Sequence, residues 1–328
     1  MDRRAFIGSL AVATLAAPSV TPAQPARKVY RIGVLGLGVT SDLIGPQPRN
    51  PITNALLRGL RELGYAYGQD FVTEPRGGEG RPARYSGLAA ELVRLQVDVI
   101  VAPGPMLPAL KQATSTIPIV MAGATDPVGE GLVQSLARPG RNFTGLSNQS
   151  VEAAAKRLEL LKELVPGPAP VAVLRDPTAV RSWHETEAAA FERGWKLLSL
   201  EVRDPGELEG AFKTATAAKA GALLVMGGLA FAQARQVAEL AASSRLPAMY
   251  PNSVPVRAGG LISYGADLIE IWRRAAFFVD RILKGASPAD LPVEQPSQFE
   301  LVVNLKTAKA LGLTIPQSIL LRAAEVIQ

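Results

Sequence analysis

The residues of this chain that could do chemistry gather in short segments that directly follow apolar runs. Thr125-Asp126-Pro127 can be a helix start, with Asp126 as N-cap and Pro127 in the first turn. The same arrangement could instead present Asp126 to a ligand ammonium, and free backbone N–H groups near Thr125 to a ligand carboxylate. Pro103-Gly104-Pro105-Met106 stands in the equivalent place one unit earlier. It is either a tight turn or a ligand wall in which Pro105, backbone N–H groups and the soft thioether of Met106 meet an aromatic body. Ser147 and Asn148 can donate to ligand oxygens or cap the helix that follows from Val151. Asp176, next to Arg175, can pair with a charged ligand group or close an Asp-Pro turn. Gly227-Gly228-Leu229 and Tyr250-Pro251-Asn252-Ser253 end two further runs, which makes Leu229 and Ser253 candidate contacts. Tyr250 and Tyr264 are either stacking surfaces or buried tyrosines with satisfied hydroxyls.

Other chemistry finds little support in the composition. The chain has no Cys and a single His, His184, so thiolate catalysis and transition-metal sites lack ligands and no metal is expected. His184 has no evident partner nucleophile and reads as a helix-end residue. Gly36-Leu37-Gly38 after an apolar run suggests a dinucleotide fingerprint, but Ser41 stands where the third Gly belongs and Pro46, Pro48 and Pro51 delay the helix. An exported NAD(P)-dependent oxidoreductase is the enzyme alternative; the expectation is no cofactor. The net charge of +6 is spread among both signs rather than drawn into a stripe, so no nucleic-acid partner is expected. Glu152, Lys156, Arg157, Glu159 and Lys162 alternate in sign three or four residues apart and read as a solvated helix face.

The elements that must position these segments follow a strand and helix rhythm. Apolar runs at 30–35, 70–74, 97–102 and 118–122 alternate with amphipathic stretches such as Ile52 to Leu63, where Leu56, Leu57, Leu60 and Leu63 share a face before Gly64. After the rigid segment Pro166-Gly167-Pro168-Ala169-Pro170 the rhythm restarts, with runs at 171–174, 196–202, 222–226 and 248–250. The fold class is therefore α/β, two doubly wound parallel-sheet lobes with ligand in the crevice at the carboxyl ends of the strands. Phe299, Leu301, Val303 and Leu305 fall on one side of a two-residue period and Glu300, Asn304 and Lys306 on the other, as in a strand with one buried face. At the N-terminus, Arg3-Arg4-Ala5-Phe6-Ile7, the apolar stretch Leu10 to Ala17 and small residues up to Ala26 form an export signal over 1–26, with the look of a twin-arginine motif.

The segment from Asp290 to Pro316, with Phe299-Glu300-Leu301-Val302-Val303-Asn304, closely resembles the C-terminal signature of bacterial ABC-transporter substrate-binding proteins of the tryptophan/tyrosine-binding type. Arg58-Gly59-Leu60-Arg61-Glu62-Leu63-Gly64-Tyr65, Ser135-Leu136-Ala137-Arg138-Pro139-Gly140 and Gly259-Gly260-Leu261-Ile262-Ser263-Tyr264-Gly265 are similar to further segments of that family. The resemblance implies a type I periplasmic-binding-protein fold with a three-segment hinge, crossing near residues 143–148, 261–265 and the strand from Phe299. It also implies lobes at 27–145 plus 265–297 and at 146–264 plus 298–328. The implied function is capture of a small, aromatic amino-acid-like ligand by a periplasmic monomer that partners an inner-membrane ABC permease. A sensory binding protein would share all of these features.

Overall fold

The computed structural model describes residues 28–38, 47–228 and 232–328, so the export segment at 1–26 and Leu229 lie outside the described residues. The first sheet contains β1 (Tyr30–Gly36), β2 (Phe71–Gly77), β3 (Val99–Ala102), β4 (Ile119–Ala124) and β5 (Phe143–Ser147), all parallel, in the order β2-β1-β3-β4-β5. Its strands are apolar on both sides because both sides are covered. Ile32, Val34, Val99, Val101 and Val120 face one core with α1 (Pro51–Glu62), while Leu35, Ile100, Ile119 and Met121 face a second core with α2 (Tyr85–Arg94) and α3 (Leu107–Ala113).

The second sheet runs β12-β11-β10-β9-β8-β6-β7. Its strands are β6 (Val171–Arg175), β7 (Leu197–Glu201), β8 (Ala222–Val225), β9 (Ala248–Tyr250), β10 (Ile262–Gly265), β11 (Glu300–Asn304) and β12 (Glu325–Ile327). One face packs on α4 (Ala154–Leu164) and α5 (Val180–Glu192), the other on α6 (Leu208–Ala217) and α7 (Ala234–Ser243). The short α8 (Ser253–Arg257) follows β9.

The chain passes between the lobes three times. It leaves the first sheet after β5, then returns after β10 as α9 (Leu268–Leu283), which packs on α1 in the first lobe. Residues 291–294 stay with that lobe: Glu294 N donates to Gly145 O (2.9 Å), Ser147 N donates to Glu294 O (2.9 Å) and the Thr144 hydroxyl donates to Leu291 O (2.6 Å). Only then does the chain enter β11. Because it arrives from the opposite lobe, β11 pairs antiparallel with β10 in a sheet whose other pairings are parallel.

Two expectations need correction. β11 lies between β10 and β12 and is buried on both faces, with Leu301 and Val303 in one core and Val302 in the other, so its alternation does not mark a solvent side. Leu63 is 42% exposed, because α1 ends at Glu62 before that residue reaches the apolar stripe.

α1 starts where Asn50 accepts from Ile52 N (2.9 Å) and Thr53 N (3.2 Å), with Pro51 in the first turn. Its contact with α9 is close at Gly59, where a Cβ would stand 2.4 Å from the Arg273 carbonyl oxygen and 2.8 Å from the Ala276 Cβ. Helix propensity favours Ala over Gly by about 0.5–1 kcal/mol, yet here the helix backbones would have to separate. Gly59→Ala is therefore expected to lower the urea midpoint, with a net loss of about 1–2 kcal/mol. An unchanged or higher midpoint would mean that this helix pair is not tightly packed.

Candidate functional site

A cleft with about 1040 Å³ of empty space, its open mouth included, lies between the carboxyl ends of the two sheets. The first lobe lines it with Gly36 to Gly38 after β1, the start of α1, Pro103 to Pro105 after β3, Gly123 and Thr125 at β4, and Leu268 and Trp272 of α9. The second lobe and the first crossing add Asn148, Ser150, Arg157, Thr178, Ser182, Gly227, Gly228, Pro251 and Asn252. These are strand-end loops and helix starts, the positions at which open α/β sheets place ligands.

The chemically distinctive group is Arg157. It is only 2% exposed, yet its residue lines the cleft. Its Nε donates to Tyr264 O (2.7 Å), Nη1 to Ser150 O (3.0 Å) and Nη2 to Ser150 Oγ (3.1 Å). Those bonds use three of the five N–H donors of a guanidinium. Among the described residues, no carboxylate forms an ion pair with it. Burial lowers its pKa to about 10, which leaves the cation intact at neutral pH. Glu152 is close enough to favour the cation without forming an ion pair with it, so among the described residues a desolvated guanidinium with two spare N–H donors stands at the cleft.

Arg157 corrects the reading of its helix as a solvated face. Lys156 and Glu159 do form an exposed pair at 3.1 Å, but Arg157 falls on the buried stripe with Ala153, Ala154, Leu160, Leu161 and Leu164. Helical spacing from those apolar neighbours is the sequence signal that could have found it.

The candidates proposed from sequence separate into groups. Pro105, Thr125 and Asn148 line the cleft. Asn148 donates through Nδ2 to Gly123 O (3.1 Å) and accepts from Ser150 N (3.0 Å), so it braces the loop as well as lining the cavity. Met106 is fully buried in the first lobe's core, and Tyr250 is fully buried in the second's. Their side chains lie on the core side of their segments, and neither residue lines the cleft. Burial raises the Tyr250 phenol well above its usual pKa. Tyr264 packs edge-to-face on Phe299 at 5.5 Å and reaches the site only through its carbonyl, which Arg157 holds. Ser147 and Ser253 are buried outside the lining, and Asp176 accepts from Thr178 N (2.8 Å) at the start of a short helical turn.

Asp126 has a different partner from either expected one. No helix begins there; it accepts from Gly129 N (3.0 Å) and forms an ion pair with Arg181 of α5, across the mouth of the cleft. The lobes also touch through small residues. A Cβ at Gly38 would stand 2.2 Å from the Ala232 carbonyl oxygen, and one at Gly228 would stand 2.5 Å from Pro105 Cγ. Gly38, the second glycine of the partial dinucleotide fingerprint, thus serves the approach of the two lobes.

A family model described as ABC transporter substrate binding protein matches residues 41–327. A tyrosine-binding protein of Clostridioides difficile (strain R20291) is 25% identical over 278 residues, covering 83% of this chain and 80% of the relative. Among solved structures, a conserved domain protein from Vibrio cholerae superposes with a TM-score of 0.81 at 29% identity, covering 91% of this chain and 100% of that one. An ABC domain in complex with L-Trp from Streptococcus pneumonia superposes with a TM-score of 0.80 at 29% identity, covering 92% and 100%. These similarities bear out the expected family and the type I fold with parallel sheets in two lobes.

The lobe contacts make a graded prediction about closure. Gly38→Ala meets backbone in the arrangement described here and open space when the lobes part, so it is expected to weaken ligand binding at least tenfold without lowering the melting temperature of the ligand-free protein. Arg181→Ala removes a pair whose arginine is 57% exposed, so its effect is expected to stay within about fivefold and to vanish in 0.5 M salt. Calorimetric titration of both variants checks the order; a larger effect for Arg181→Ala would contradict it.

Proposed function

The chain belongs to the ABC transporter substrate-binding protein family, and on that premise we propose that it captures a small organic carboxylate with an apolar, aromatic-sized body and delivers it to an inner-membrane ABC permease. Arg157 carries this reading. A ligand carboxylate would supply the ion-pair partner that the buried guanidinium lacks among the described residues, and Leu37, Ile52, Leu268 and Trp272 offer the body an apolar lining. The named ligands of the similar proteins, tyrosine and L-Trp, are both carboxylates with aromatic bodies.

The mechanism is closure without covalent change. The two lobes rock about the three crossings, which follow β5 and β10 and precede β11 rather than falling at 145/146 and 264/265, and the ligand touches both lobes only when they meet. A ligand shifts that equilibrium by its differential affinity for the closed form. A protein that releases its ligand unchanged needs no catalytic group. An export signal over 1–26 would place it in the periplasm, where a monomer can meet the permease. Among the described residues, no helix is long and apolar enough to cross a membrane.

The experiment is a thermal-shift and calorimetric screen of small carboxylates against the wild type, Arg157→Gln and Arg157→Lys. Arg157→Gln is expected to weaken the best carboxylate by at least thirtyfold, the ~2 kcal/mol typical of truncating a buried charge partner. Arg157→Lys is expected to recover little, because an ammonium lacks the fork that reaches Tyr264, Ser150 and a carboxylate together. Affinity should be flat from pH 6 to about 9 and should fall as pH rises through about 10, where the guanidinium loses its proton. Unchanged affinity in Arg157→Gln would remove the carboxylate assignment.

A further inference from the structure

We propose that the cleft selects a monocarboxylate that carries no ammonium group, an arylalkanoic acid or a related keto acid, over the α-amino acid of the same body. The inference rests on the preceding reading that Arg157 receives a carboxylate. Among the described residues, the cleft is lined by one cation, Arg157, and by no Asp or Glu. A monocarboxylate neutralises that cation. A zwitterion would leave one positive charge unbalanced in a closed, largely apolar space, where an uncompensated charge is strongly unfavourable.

The side-chain amide oxygens are also engaged. Asn50 Oδ1 accepts from Ile52 N (2.9 Å) and Thr53 N (3.2 Å), Asn148 Oδ1 from Ser150 N (3.0 Å), and Asn252 Oδ1 from Val254 N (3.1 Å). The three amide oxygens of the cleft are thus turned to backbone N–H groups, while the amide of Asn148 occupies Gly123 O (3.1 Å). The carboxylates of the bordering loops already have partners, although that of Asp176 lies directly behind the cleft-lining Gly227 and Gly228. Asp126 pairs with Arg181, Asp176 accepts from Thr178, and Asp267 caps α9 by accepting from Ile269 N (2.8 Å). The starts of α1 and α5 add partial positive charge at the cleft, which favours a carboxylate and opposes an ammonium.

Matched ligand pairs that differ only in the ammonium test this directly: 3-phenylpropionate against L-phenylalanine, 3-(4-hydroxyphenyl)propionate against L-tyrosine, and indole-3-propionate against L-tryptophan. Each is titrated calorimetrically into the wild-type protein and into Arg157→Gln. The expected result is that the des-amino acid of the best pair binds at least tenfold tighter and that Arg157→Gln abolishes the preference. Equal or tighter binding of the amino acid, still lost in Arg157→Gln, overturns the selectivity and leaves the carboxylate site standing. Binding that does not depend on Arg157, or no binding of any monocarboxylate, overturns the carboxylate reading and this inference with it.

Discussion

A buried guanidinium that no carboxylate among the described residues ion-pairs imposes order on its surroundings, and in this protein that group is Arg157. Its three hydrogen bonds go to Ser150, at the exit of the first crossing, and to the Tyr264 carbonyl, at the second. The same side chain therefore fixes two hinge segments relative to α4 and holds a positive charge at the cleft. Burying the cation opposes folding, and three charge-assisted bonds offset only part of that cost. Hinge geometry and the charge at the cleft are thus linked through one side chain.

The contacts that bring the lobes together are modest by comparison. Asp126 and Arg181 form a pair whose arginine is mostly exposed and whose aspartate is mostly covered, and Gly38 and Gly228 allow close approach without adding an apolar interface of their own. Weak intrinsic closure suits a protein whose ligand must decide between states, since a few kcal/mol of differential contact is enough to move such an equilibrium. A large apolar seam would hold the cleft shut without ligand.

Much of the framework was legible in the sequence because doubly covered parallel strands are continuous apolar runs and their helices carry one apolar stripe. The sequence runs at 30–35 and 171–174 correspond to β1 and β6, and the predicted helix at 52–63 to α1. The site was less legible, for two physical reasons. A strand-end position says where a residue stands but not which side of the loop its side chain takes, so Met106 and Tyr250 entered the cores while Pro105, one residue from Met106, reached the cleft. Charge spacing also misleads: the i to i+3 pair of Lys156 and Glu159 is on the surface, but Arg157 between them belongs to the apolar stripe of the same helix. Asp126 illustrates a third difficulty, since its partner Arg181 lies in the other lobe and no local pattern connects them.

The order in which the chain visits its lobes constrains how it can be made. The first lobe lacks the helix that covers α1 until Leu283 has been synthesised, and the second lacks the strand beside β11 until Ile327 has been. Neither lobe can complete its core while most of the polypeptide is still emerging from the ribosome, so native pairing depends on contacts of long sequence separation and comes late. The three crossings that join the two lobes therefore also delay completion of both cores until α9 and β12 have been made.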